Sequence, residues 1–413
     1  MTRHLFRLIW NRKRHNFLLG VEIFFSFLVL FGVVLLTANF AHNWRQPLGF
    51  SIDGVWRVAV DRKEPDRDPE VKQRHRETYR QLIAALRDLP EVEVAAGATI
   101  SPYSGSGWGS DVVLQDGRRV RYGANAASDD FRDVLDVDVA AGRWFSREDD
   151  GAAWTPGVIN RRMAEEIFQG GAAVGREIPQ RRDAGGEHPP AMRVVGVIED
   201  FRKDGEFSSP GHFLFYRLVL DARPAGGDDS VPDVLLLRLT PGTGAAFEEK
   251  LIDRMQRVAR TWSFEVKPMV DAREDTLRMY ALPLVALGTV ALFLLLMVAL
   301  GLTGVVWHSV TQRTREFGLR RAKGATISNV RRQVLSELAI MASLALACGV
   351  LIVVQVQVAL VPLDADLQVF PPAVFLASVT LSVAAIYVLT LACARYPSRL
   401  ATRIQPAEAL HYE

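Results

Sequence analysis

Four long apolar stretches dominate the pattern of hydrophobic and polar positions along this chain of 413 residues. Each is longer than the roughly 20 residues that a helix needs to cross the hydrocarbon core of a bilayer. Glu22 and Glu337 lie near the starts of the first and third stretches, where a side chain can still reach the polar interface. The pattern therefore predicts four transmembrane helices, at residues 17–40, 281–306, 334–360 and 372–394.

The charges that flank these stretches predict their orientation. Residues 1–16 carry five basic side chains and no acid, Arg395, Arg399 and Arg403 follow the last stretch, and the loop 361–371 has two aspartates and no base. By the positive-inside rule, both termini and the loop 307–333 are expected on the cytoplasmic side, with residues 41–280 and 361–371 outside. A cleaved signal peptide is the alternative for the first stretch, but its apolar part is longer than the roughly 7–15 residues typical of such a peptide. We therefore expect an uncleaved anchor.

Residues 41–280 show the periodicities of a large α+β domain. A strand, an amphipathic helix and a strand are predicted near its start, and the same order returns near its end. Two such units predict one split domain, with its parts at about 50–120 and 232–270 and an inserted lobe at about 121–231. Cys348 and Cys393 both fall in apolar stretches, so this region has no disulfide and must be stabilised by buried apolar surface.

A loop rich in glycine and serine, at residues 101–110, presents two aromatic side chains, Tyr103 and Trp108. Aromatic residues on a mobile loop are candidates for contact with a partner outside the membrane. The alternative is a solvated connector whose aromatic rings fold back onto the domain, and this arrangement is the commoner one in loops of this kind.

The motifs of catalysis and cofactor binding are absent from the sequence. It contains no phosphate-binding loop, no G-x-S-x-G elbow, no H-E-x-x-H pair and no cysteine–histidine metal spacing. The acid pairs at 129–130 and 149–150 lie in turn-like sequence, where a solvated or capping role is expected. We therefore expect a non-catalytic chain that binds no cofactor or metal. A formal net charge of +2 offers no basic domain for nucleic acid.

The loop between the second and third apolar stretches carries the most specific sequence. The run R-E-F-G-L-R-R-A-K-G-A-T at 315–326, followed by N-V-R-R-Q-V-L-S-E, resembles the R-E-I-G-x-R-R-A-x-G-A signature of the FtsX-like permease domain of ABC transporters. The ending P-A-E-A-L-H-Y-E is similar to the end of that domain. Residues 136–146 and 158–178 resemble the periplasmic core domain of MacB-type permeases. The resemblance covers nearly the whole chain.

This resemblance implies the membrane subunit of a type VII ABC transporter in the bacterial inner membrane. One helix, a periplasmic α+β domain with a porter-like part and an inserted lobe, and three more helices are its expected fold. About sixteen residues precede the first apolar stretch, so the ATPase, with its ATP and magnesium, is expected to be a separate chain. Such permeases transmit ATP-driven closure as a mechanical movement of their outer domains.

The loop 313–326 is then expected to bind the cytoplasmic ATPase. The predicted contacts are Arg315, Glu316, Phe317, Gly318, Leu319, Arg320, Arg321, Lys323, Gly324 and Thr326. The alternative is that these bases only orient the chain and touch lipid headgroups.

Further partners follow from the same resemblance. ABC ATPases work in pairs, so a second permease copy or a sister permease is expected, in contact with membrane lipid; a periplasmic adaptor and an outer-membrane duct are further candidates. The main alternative function is a transmembrane sensor or scaffold that recruits a signalling partner. An outer enzyme on a membrane anchor is disfavoured, because it would not need three further helices. The cargo stays open.

Overall fold

A computed structural model describes residues 13–64, 68–114, 116–179, 191–218, 231–312, 326–363 and 370–401. The chain divides into two compact units, one made of Met1–His42 and Ala281–Glu413 and the other of Asn43–Tyr280.

The helices are α1 (Lys13–Trp44), α2 (Pro69–Arg87), α3 (Phe131–Leu135), α4 (Arg161–Phe168), α5 (Ala246–Val258), α6 (Met269–Gln312), α7 (Ile327–Leu363) and α8 (Pro372–Ala401). The strands are β1 (Val55–Asp61), β2 (Val92–Ala98), β3 (Trp108–Val113), β4 (Arg119–Ala127), β5 (Val139–Gly142), β6 (Thr155–Asn160), β7 (Glu177–Ile178), β8 (Met192–Ile198), β9 (Phe213–Arg217), β10 (Val234–Leu239) and β11 (Ser263–Pro268).

Helices α1, α6, α7 and α8 confirm the four predicted apolar segments. Their parts that are long and apolar enough to span a membrane are Gly20–Trp44, Met269–Gly304, Leu338–Ala359 and Pro372–Cys393. Helix α1 continues beyond the predicted end at residue 40, and α6 begins before the apolar run at 281. The charged segment that precedes this run is therefore one unbroken helix with it from Met269 onward.

The four apolar helices share one core in their unit. Phe27 of α1 is fully buried among side chains of α6, α7 and α8. It lies so close to α7 that a Cβ atom on Gly349 would be 2.5 Å from its Cδ1 atom. The ring of Phe31 meets that of Phe375 edge-on at 5.5 Å. Glycine at 349 thus allows α1 and α7 to approach each other closely.

The unit Asn43–Tyr280 is built on one mixed sheet, with the strand order β11-β1-β10-β2-β4-β9-β6-β8-β5. Its first four strands are antiparallel and come from both ends of the unit. Helices α2 and α5 cover them with their apolar faces, through buried side chains that include Tyr79, Leu82, Leu86, Phe247, Leu251 and Met255. This ferredoxin-like arrangement confirms the predicted split α+β domain.

The remaining strands, with α4, form the inserted lobe. Strand β4 runs parallel to β9, and β6 runs parallel to β8. The lobe joins the rest of the sheet where Ala98 of β2 pairs with Ala127 of β4. One buried cluster contains Val55 and Leu236 from the first part together with Phe131 and Phe215 from the lobe. The two parts therefore share a core, and the boundaries near residues 120 and 232 stay a prediction.

Candidate functional site

The connection between β8 and β9 contains a segment, Phe201–Ser209, that we call the junction loop. It forms hydrogen bonds to the end of α1 and to the chain just after it, and also to the first turns of α6. The chain enters the unit Asn43–Tyr280 at the end of α1 and leaves it within α6, so this loop contacts both ends of the unit's chain.

Arg202 is the centre of the junction loop. Its side chain is only 2 % exposed. The guanidinium donates five hydrogen bonds to four main-chain oxygens: those of Asn43 (2.9 Å), Gln46 (2.9 Å), Glu206 (2.6 Å) and Ser208 (2.6 and 3.2 Å). Burial lowers the pKa of this guanidinium, but arginine remains protonated at any physiological pH. A permanent buried cation thus connects the loop to the end of α1.

The end of α1 and the segment after it contact the same loop through other atoms. The Asn43 side-chain amide donates to the Phe207 oxygen at 3.0 Å, and the Arg202 amide donates to the Leu48 oxygen at 3.0 Å. At Gly49, φ is +83°, and a Cβ atom there would lie 1.6 Å from the Asp200 oxygen. Only glycine fits such a conformation and such a close approach of two backbones.

Glu206 connects the loop to α6. The Arg273 Nε atom, in the second turn of α6, donates to the Glu206 carboxylate at 2.5 Å. The Tyr103 hydroxyl donates to the other carboxylate oxygen at 3.3 Å, and Thr276 of α6 donates to the Tyr103 main-chain oxygen at 3.4 Å. Burial, then the charge of Glu206, raises the pKa of Tyr103, so this hydroxyl keeps its proton. The loop is therefore bonded to both helices that leave the unit.

This arrangement is a network of hydrogen bonds that joins the junction loop to α1 and to α6. Among the residues that the structure describes, no three histidine, cysteine or acidic side chains are placed to hold a metal ion. The charged groups of the site are directed at main-chain oxygens or at each other, as in a structural network.

The predicted ATPase contacts fall almost entirely outside the described residues, which omit 313–325. Arg315, Glu316, Phe317, Gly318, Leu319, Arg320, Arg321, Lys323 and Gly324 are among them, so their role stays a prediction. Thr326 is described. Its Oγ1 atom accepts from the Asn329 amide at 3.3 Å, the geometry of an N-cap for α7.

The two aromatic residues of the loop 101–110 differ in position. Tyr103 is 5 % exposed and bonded to Glu206, so its prediction as a partner contact is corrected: its ring packs against Phe50 and fills the core beside Gly205. Trp108 begins β3, is 43 % exposed and meets the Tyr216 ring edge-on. Contact of Trp108 with a partner stays a prediction.

Comparison with known protein families shows to which family the chain belongs. The model of the MacB-like periplasmic core domain matches residues 23–253, more than half of the chain, and that of the FtsX-like permease C-terminal domain matches residues 288–406. The chain belongs to the MacB-like family of ABC transporter permeases. The second matched domain of this permease begins within α6 and includes α7 and α8.

Curated relatives of the permease are longer proteins. It is 27 % identical over 294 residues to the pyoverdine export ATP-binding/permease protein PvdT of Pseudomonas aeruginosa, covering 67 % of this chain and 41 % of the relative. It is 26 % identical over 373 residues to the macrolide export ATP-binding/permease protein MacB of Azoarcus sp., covering 83 % of this chain and 50 % of the relative. The permease thus spans about half the length of the curated relatives it matches. Among solved structures, the periplasmic region of MacB from Actinobacillus actinomycetemcomitans is similar to this chain with a TM-score of 0.37 and 11 % sequence identity. The matched part covers 55 % of this chain and 93 % of the solved one.

Sequence reasoning missed the residues of the junction. Arg202 and Glu206 occur in a segment with neither helical nor strand periodicity, and Asn43 lies beyond the predicted end of the first helix at residue 40. The bonds from Arg202 to Asn43 and from Arg273 to Glu206 join residues that are distant in sequence. The only signal in the sequence is the charged and aromatic run F-R-K-D-G-E-F at 201–207, which by itself has many readings.

Proposed function

We propose that the permease is the membrane subunit of an ABC exporter. It would couple ATP hydrolysis by a separate cytoplasmic ATPase to movement of the unit Asn43–Tyr280, for export or efflux of an envelope substrate. The observation that carries the proposal is the junction loop, whose Arg202 bonds to the end of α1 and whose Glu206 bonds to the start of α6.

The position of the junction loop between two strands would transmit a movement of either helix to the sheet. The loop joins β8 to β9, two strands in the interior of the sheet order. A displacement of either helix end must stretch or break buried hydrogen bonds, or else move the loop and these strands with it. Breaking buried bonds to a charged group costs more than breaking neutral ones. Movement of the unit is therefore the favoured response to a helix displacement.

The basic loop 313–326 is proposed as the ATPase contact. Apolar contact would come from Phe317 and Leu319 and polar contact from the arginines around them. The permease would itself be non-catalytic and bind no cofactor, with ATP and magnesium in the partner. Its termini and this loop would be cytoplasmic and the unit Asn43–Tyr280 periplasmic, in the bacterial inner membrane.

The relatives support the direction of transport and the further partners. The proteins named above are described as export proteins with ATP-binding and permease parts. An ATPase dimer needs two contact loops, so we propose a dimer with a second copy or a sister permease. A periplasmic adaptor and an outer-membrane duct complete the proposed path for the substrate.

The contact with the ATPase is tested by purifying the complex in mild detergent. The double variant Arg320→Glu/Arg321→Glu, with Glu316 intact, is expected to insert normally and to lose stimulation of the ATPase. Normal stimulation would falsify the assignment of this loop. Recovery of a signalling protein instead of an ATPase would favour a sensor or scaffold.

The mechanical step is tested by hydrogen exchange of the junction loop in the same complex, with and without ATP and vanadate. We expect the trapped nucleotide state to change the exchange of residues 201–209 in the native chain. In Glu206→Gln, ATP hydrolysis should persist while this change is reduced. The matched control is Glu199→Gln, since Glu199 lies close in sequence but forms an exposed ion pair with Arg161. Equal responses in both variants would contradict the coupling role of Glu206.

A further inference from the structure

Three aromatic rings lie in contact at the junction. The ring of Phe207, in the junction loop, is centred 5.6 Å from that of Trp44 and 5.9 Å from that of Tyr280. The guanidinium carbon of Arg273 is 5.7 Å from the centre of the Trp44 ring. We call Trp44, Phe207 and Tyr280 the aromatic row. One of its members comes from α1, one from the loop and one from α6.

Two members of the row occupy the borders of membrane-spanning sequence. Trp44 is the last residue of the apolar helix part Gly20–Trp44. Tyr280 immediately precedes the apolar run at 281–306, and Arg278 is the last charged residue before that run. Tryptophan and tyrosine are enriched at such borders, because their rings partition into the region of the lipid headgroups.

Phe207 does not lie at the border of an apolar stretch in the sequence. It is distant from both spans along the chain, in the loop between two strands. Its contacts with Trp44 and Tyr280 nevertheless place its ring at their depth, since a helix is a rigid rod over the single turn involved. The Trp44 side chain is 48 % exposed, so the row is not enclosed by the protein.

We propose that the aromatic row contacts the phospholipid interface, with the junction loop as a third, non-helical membrane anchor beside α1 and α6. Two arginines close to the row fit this partner. Arg45 and Arg278 are exposed and lie within two residues of its members in sequence, where guanidinium groups attract phosphate headgroups; Arg278 also pairs with Glu274. The proposal requires the two spans and is independent of any ATPase or cargo.

Spin-label depth measurements test this contact in the full chain reconstituted in phosphatidylcholine and phosphatidylglycerol vesicles. The native cysteines are first replaced through Cys348→Ala and Cys393→Ala, and one nitroxide is attached at Phe207→Cys. Leu292→Cys, exposed inside the apolar run, serves as the lipid reference, and Val113→Cys, exposed on β3, as the water reference. We expect the ratio of oxygen to nickel-complex collision rates at 207 to be several-fold higher than at 113 and below that at 292. A ratio equal to that at 113 overturns the proposal.

A second variant covers the case in which Phe207→Cys disturbs the fold. Phe207→Trp keeps an aromatic ring, and its added emission is obtained by subtracting the spectrum of the native chain. The emission of Trp44 itself is the reference, obtained as the difference between the native chain and Trp44→Phe. Lipids brominated close to the headgroup should quench the added emission of Phe207→Trp to a similar extent as this Trp44 emission. Added emission that the brominated lipids leave unchanged would show that the loop faces water or a protein partner, which contradicts a lipid contact.

Discussion

The guanidinium of Arg202 donates to the main-chain oxygen of Asn43 at 2.9 Å, although 159 residues separate them. Asn43 is the penultimate residue of α1, so this bond joins the end of a membrane-spanning helix to a loop between two strands of the sheet. The same loop reaches α6 through Glu206 and Arg273.

Arg202→Met should strongly destabilise the unit Asn43–Tyr280. The substitution removes the Arg202 donor from four main-chain oxygens, of which that of Asn43 keeps the Gln46 amide as donor. We expect this loss in a buried site to lower the free energy of unfolding by about 3 kcal/mol or more. Hydrogen exchange of the sheet amides measures this change. The control, Arg162→Met, removes a half-exposed ion pair with Asp200 and should cost about 1 kcal/mol or less. Similar costs for the two variants would contradict the central role of Arg202.

Glu206 and Arg273 should be energetically coupled. A double-mutant cycle with Glu206→Gln and Arg273→Gln is expected to give a coupling energy of about 1–3 kcal/mol, because the carboxylate is buried and the pair replaces water on both groups. The unfolding midpoints of the four proteins in denaturant provide the measurement. Single-variant costs that simply add would indicate that the pair contributes nothing specific to the junction.

Gly49→Ala should disrupt the segment that follows α1. The new Cβ atom would overlap the Asp200 oxygen, a backbone atom that cannot rotate away, and φ at this position is +83°. Gly211→Ala is the matched control, since nothing lies within 4 Å of the Cβ position there. We expect a clear loss of thermal stability in the first variant and almost none in the second. A stable Gly49→Ala protein would refute the close approach of these two segments.

Acidification should destabilise the unit partly through Asp149. This carboxylate accepts from Arg143 at 2.5 and 2.8 Å and from the Ser146 amide at 3.0 Å. Burial acts to raise the pKa of Asp149, but the bonds from Arg143 and Ser146 outweigh it, and the pKa lies below its ordinary value of 3.8. Its stabilising contribution is therefore present above pH 3.8 and is lost as the pH falls through the lowered pKa.

Asp149→Asn should accordingly lower the unfolding midpoint at neutral pH and reduce the further loss below pH 3.8. Thermal unfolding at a series of pH values measures both effects. The exposed Asp53→Asn serves as control and should leave the pH dependence unchanged. An unaltered acid response in Asp149→Asn would assign the effect to other carboxylates.

Much of the architecture followed from periodicity. Local sequence patterns predicted the four apolar runs and the strands and helices at both ends of the outer unit. These patterns are informative because backbone geometry fixes the spacing of side chains on one face of a helix or strand. The motif at 315–326 and the core-domain segments led to a family that the comparisons then confirmed. Tyr103 follows the alternative named for its loop: its ring folds back onto the domain and is buried, because a loop of glycine and serine also allows a ring to turn inward.

Local sequence was therefore sufficient for the number of apolar helices, for the split outer domain and for the family. The junction depended on the tertiary fold, because Asn43, Arg202 and Arg273 belong to three segments that only the sheet brings together. A buried arginine bonded to main-chain oxygens needs no particular side chain as its partner. No pair of residue types in the sequence therefore predicts this contact. Its role is set by where the backbone passes, and the close approach at Gly49 shows how narrowly that path is constrained.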